Sequence, residues 1–106
     1  MAKYLIQASY TPEGVKGLLR DGGTARRDAA TQLLSALGGT VESFYFAFGS
    51  SDAYVIVDMP DNASLAAAVF AVGASGAVTI ETTVLLTVEE VDDACAKSPA
   101  YQAPGS

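Results

Sequence analysis

The chain has 106 residues, half of them apolar, and a formal net charge of −6. That length suits one domain with its own core. An acidic field repels phosphate backbones, the absence of histidine removes the commonest general base and metal ligand, and one cysteine, Cys95, excludes an internal disulfide or a cysteine-built zinc site.

Charged residues make up 17% of the chain, below the roughly 25% of ordinary soluble domains. Less surface than usual is then left to water, which predicts a homodimer or higher oligomer. A lone thiol among acidic residues fits a reducing cytoplasm. Residues 1–10 hold one lysine and no apolar stretch of signal-peptide type. No apolar run reaches the roughly 18 residues of a membrane span. The expected partners are therefore another copy of the chain and a small apolar or anionic ligand, with no nucleic acid, no membrane and no cofactor.

Lys3 to Tyr10 reads as a first strand, with Tyr4, Ile6, Ala8 and Tyr10 on one face and Leu5, Gln7 and Ser9 on the other. Thr11-Pro12-Glu13 is a helix start: a cap, a proline suited to the first turn and an acid at the positive helix end. The helix should break at Gly22-Gly23 and continue to about Leu37. Ala29, Ala30, Leu33, Leu34 and Leu37 form its apolar stripe, and Gly38-Gly39 ends it.

Thr40 to Pro60 organises the rest. Strand-forming residues flank Gly49-Ser50-Ser51-Asp52, so the stretch predicts a hairpin. A turn centred between Ser50 and Ser51 pairs Phe48 with Ala53, Phe46 with Val55 and Phe44 with Val57. Phe44, Phe46, Phe48, Val55, Val57 and Met59 then share an apolar face, with Phe46 at its centre. Ser43, Tyr45, Ala47, Tyr54, Ile56 and Asp58 share a mixed one.

Asp61 or Asn62 caps a short Ala-rich helix whose face reads Leu65, Ala66, Val69, Phe70 and Val72. Ala77 to Leu86 is the last strand. Thr87-Val88-Glu89-Glu90 is a capping box that opens a final helix, ending before Ser98-Pro99. Residues 1–98 form the domain and 99–106 a loose tail. The order β-α-β-β-α-β plus α predicts an α+β, ferredoxin-like antiparallel sheet with helices on one face. The bare face, with Tyr4, Ile6, Tyr45, Tyr54 or Ile56 on it, needs a cover, most simply a second copy.

Four stretches, KYLIQASYTPEGVKGLL, RRDAATQLLSALGG, FYFAFGSSDAYVIVDMPDN and SGAVTIETTVLLTVEEVD, resemble the GYD-domain family of small bacterial α/β proteins. Gly49 and Asp52 match the turn that names the family, and Ser51 stands where its tyrosine would be. The resemblance implies a dimeric α+β barrel, a fold shared with small monooxygenases and lactone isomerases. It implies no particular activity.

The residues that carry candidate chemistry each have a plainer reading. Gly49 and Asp52 read first as turn chemistry, with Asp52 at a pocket mouth as the alternative. Asp58 is either a base beside Tyr45 or an exposed strand-end acid. Arg20 and Arg26, with Lys16 and Arg27, are either a solvated helix face or the holder of an anion. Gln7, Ser9, Tyr45 and Tyr54 suit a ligand pocket or a dimer interface equally. Any pocket is expected to be mainly apolar, with polar contacts from these residues or Asp58 and an arginine near the rim. Two functions follow: a non-catalytic small-molecule-binding or assembly module, or a cofactor-free isomerase or monooxygenase-like enzyme for a small aromatic or lactone-type substrate.

Overall fold

The computed structural model describes residues 1–105. Its elements are β1 (Ala2–Tyr10), α1 (Pro12–Ala36), β2 (Thr40–Phe46), β3 (Ala53–Met59), α2 (Asn62–Ala74), β4 (Val78–Leu85) and α3 (Val88–Lys97). The strands form one antiparallel sheet in the order β2-β3-β1-β4, the expected α+β ferredoxin-like arrangement. No helix among the described residues is long and apolar enough to cross a membrane.

The helices begin as their sequences dictate. Thr11 accepts a hydrogen bond from the Gly14 amide, and its own amide and hydroxyl donate to Ala77 O at 3.0 and 3.2 Å, which ties α1 to the start of β4. Asp61 Oδ1 accepts from the Ser64 amide at 2.7 Å, so Asp61 is the cap of α2. Both bonds of the Thr87–Glu90 capping box are present. The expected break in α1 falls at Gly22, whose φ of 84° and ψ of 169° suit a residue without a side chain.

β1 pairs with β3 and β4 so that Tyr4, Ile6 and Ala8 lie beside Val57, Val55 and Ala53, and beside Val84, Thr82 and Ile80. This row faces the helices. Tyr4, Ile6, Val55, Val57, Met59, Leu34, Leu65 and Ala68 make the main core. Tyr4 and Ile6 are therefore buried under helices, not on the bare face, and the Tyr4 hydroxyl donates to Asn62 Oδ1. Leu5, Gln7, Ser9, Tyr54, Ile56 and Asp58 point the other way.

The hairpin keeps its predicted faces but shifts its register by two residues. Phe46 pairs with Ala53 and Phe44 with Val55. The cause is Asp52, which leaves the turn for the sheet. Its amide donates to Ala8 O, its carbonyl accepts from Ala47, both at 2.8 Å, and its carboxylate accepts from the Tyr10 amide at 2.8 Å. A bulge between Val41 and Ser43 then turns Val41, in place of Glu42, toward the core.

The shift moves the aromatic residues outward. Phe46 ends an edge strand at 42% exposure, stacked obliquely on Phe44 with ring centroids 5.2 Å apart, and Phe48 is fully exposed. Phe46 is thus not the core centre that alternation suggests; Val57 and Met59, both at 0% exposure, are. In α2 the buried residues are Leu65 and Ala68, whereas Phe70 sits half a turn away in solvent. Every residue of α3 is exposed.

We expect Met59→Ala to cost roughly 2–5 kcal/mol, as buried truncations do, and Phe46→Ala less than half as much. Urea unfolding of both variants checks the order; a larger loss for Phe46→Ala would place that ring in the core. Two α1 glycines should differ in sign. A Cβ on Gly14 would lie 2.0 Å from Ala77 O, whereas Gly17 has open space around it. Gly14→Ala should cost about 2 kcal/mol or more through forced backbone movement. Gly17→Ala should gain about 0.5–1 kcal/mol from the stiffer unfolded chain. Equal melting temperatures for the two would refute the close approach of α1 to β4.

Candidate functional site

Between the sheet and the two long helices lies a cavity of about 220 Å³. Small side chains from each layer contribute to its lining: Ala8 and Ala53 from the sheet, Ala29 and Ala30 from α1, Ala68 from α2. Larger residues, Phe44, Leu33 and Val72 among them, close the rest of the wall. Close-packed interiors leave few such spaces, and an apolar space of this kind favours apolar molecules over water. Among the described residues of its lining, only Tyr10 and Arg26 carry polar side chains.

A second, more polar groove of about 370 Å³ adjoins it and shares Tyr10, Arg26, Leu33, Val72 and Val78. It runs between the first half of α1 and the end of α2 and adds Glu13, Arg20 and Asp21. The charges there are mostly spoken for. Arg20 Nε donates to Asp21 Oδ1 at 2.9 Å, and Lys16 reaches Glu13 at 3.5 Å. The Arg20 hydrogen bonds hold the exposed Asp21 carboxyl below its ordinary value, with the charges of Arg20 and Arg26 adding to the effect. Arg27 pairs with Asp28 at 3.5 Å. Arg26, half-buried, forms no salt bridge among the described residues.

The polar residues expected to serve a pocket lie elsewhere. Gln7, Ser9, Tyr45, Tyr54 and Asp58 share the open face of the sheet, and none lines the cavity. Tyr45, Tyr54, Gln7 and Glu81 form one row across all four strands. Asp58 is held by Lys3 at 3.0 Å, and the bulge brings Glu42 to the same ammonium at 2.6 Å. Hydrogen bonds from Lys3 to Glu42 and then to Asp58 raise the lysine above its ordinary value. Asp58 is thus a strand-end ion-pair partner, and Glu81 stays exposed.

Asp52 does not stand at a cavity mouth. Its carboxylate anchors the Tyr10 amide, and Gly49 lies in the exposed loop. Ser51, at the place of the family tyrosine, is buried and donates its hydroxyl to Gln7 Oε1 at 3.4 Å. Of the predicted site residues, only Arg26 lines the cavity itself, and Arg20 reaches the adjoining groove. Nothing in the sequence motifs points to Tyr10 or to the lining alanines as site residues. The alanine content of α1 and α2 was the available signal, since small residues on inward positions of two layers leave space between them.

Among the described residues no cluster of three metal-ligating side chains occurs. No curated protein and no solved structure matches the chain. The family model described as GYD domain matches residues 4–95, from early in β1 to near the end of α3. With that span covered, the chain belongs to the GYD-domain family.

Proposed function

We propose that this chain is a non-catalytic small-molecule-binding module that works as a homodimer. The observation that carries the binding half is the apolar cavity of about 220 Å³ at the centre of the fold. Ligand sites are concave and mainly apolar with a few fixed polar groups, and this lining has that character. The alternative, a cofactor-free isomerase or monooxygenase-like enzyme, asks for an acid or base beside the substrate. Among the described residues the cavity lining holds no carboxylate, thiol or lysine, which supports binding over catalysis.

The dimer half rests on the open face. Leu5, Ile56 and Tyr54 are only half-buried there, and Tyr45 is exposed. With the low charged fraction, this face suits a second sheet laid against it, the arrangement of a dimeric α+β barrel.

A neutral aromatic probe such as ethylbenzene should bind the native protein in calorimetric titration. Ala30→Leu, which fills the cavity, should abolish that binding while leaving the fold at least as stable. Equal binding to both proteins, or none to either at millimolar probe, would refute the site. Light scattering at micromolar concentration should return twice 10.8 kDa. Ile56→Glu should return 10.8 kDa itself. A native mass of 10.8 kDa would refute the dimer.

A further inference from the structure

The cavity and the groove together form an amphipathic site. One end is apolar and lined by alanines of the sheet, α1 and α2; the other opens onto charged residues of α1. Arg26 belongs to both linings. Of the groove's other charges, Arg20 pairs with Asp21 at 2.9 Å and Glu13 reaches Lys16 at 3.5 Å, so Arg26, whose charge Asp21 feels without a salt bridge among the described residues, supplies a cation where the two spaces meet. The kink at Gly22 starts a new helical segment four residues earlier, which fixes where this side chain leaves α1.

From this we infer that the ligand is a small monocarboxylic acid whose apolar body occupies the cavity and whose carboxylate meets the Arg26 guanidinium. The inference rests on the cavity being the binding site. A volume of about 220 Å³ accepts roughly ten non-hydrogen atoms at interior packing density, the size of a phenylalkanoate or a medium-chain fatty acid. A planar guanidinium offers two parallel donors to a carboxylate, a geometry that neither a lysine nor a neutral amide reproduces. The net charge of −6 gives no long-range attraction for an anion, so selectivity has to come from this local contact.

The test compares 3-phenylpropanoate with 3-phenylpropanamide, equal in shape and different in charge, by calorimetric titration of the full chain. In the native protein the acid should bind at least tenfold more tightly than the amide, and added salt should weaken the acid alone. Arg26→Gln should erase the preference by bringing the acid down to the affinity of the amide. Arg26→Lys should keep only part of it. Arg27→Gln, in an exposed arginine paired with Asp28, should change neither. Equal affinities in the native protein, or loss of acid and amide alike in Arg26→Gln, would overturn the carboxylate inference. If the amide still binds the native protein and fails in Ala30→Leu, the cavity reading survives that failure. If neither probe binds the native protein, both readings fall.

Discussion

The position of β1 between β3 and β4 decides what every other side chain can do. Its residues pair on both sides, so one parity of the strand meets the helices and the other meets the open face. Tyr4, Ile6 and Ala8 take their neighbours in β3 and β4 with them into the core. Leu5, Gln7 and Ser9 take theirs out. A slip of one residue would put Gln7 between the helices and expose Tyr4, so the buried set holds the register. Asp52 reinforces it at the far end, where its carboxylate holds the Tyr10 amide and its own amide reaches Ala8. One aspartate thereby joins the hairpin loop to the central strand.

The helix layer is set by how closely its backbone can approach that sheet. Gly14 lets the first turn of α1 rest on the carbonyl that precedes β4, and Ala68 lets α2 sink onto the sheet. Close approach at these points coexists with the space that alanines of the sheet, α1 and α2 line. The cavity is thus the product of the same small side chains that bring the layers together. Its apolar character follows largely from strand parity, since Lys3, Gln7 and Ser9 of β1 and Tyr54 and Asp58 of β3 are on the opposite side.

Much of this was legible in the sequence because it is local. Element order, the capping box at Thr87, the proline-led start of α1 and the glycine break at residue 22 depend on a few neighbouring residues. The family assignment was likewise readable from motifs that run along the chain. The hairpin register was not legible, because Asp52 has hydrogen-bond partners more than 40 residues away and no local pattern announces them. The same holds for the bulge that turns Glu42 toward Lys3. Phe46 reads as core from strand alternation and Phe70 from its place on the apolar helix face, yet one ends an edge strand and the other sits in solvent. The candidate site suffered most. Polar residues at plausible spacing suggest a pocket, while strand pairing places most of them on the face away from the cavity. Arg26 was recognisable as a cation near a helix break, but its position at the cavity depends on how α1 folds over the sheet.

The terminal helix has a consequence for the molecule in motion. α3 lies wholly exposed beyond the last strand, and the chain measures 57 × 32 × 22 Å with a radius of gyration of 17.0 Å. A compact chain of this length has a radius of gyration of about 13 Å. A particle so drawn out tumbles and diffuses like a heavier sphere. On a sizing column a single chain would elute early, in the region of a compact protein of greater mass. Elution volume and subunit number are therefore separate quantities for this protein.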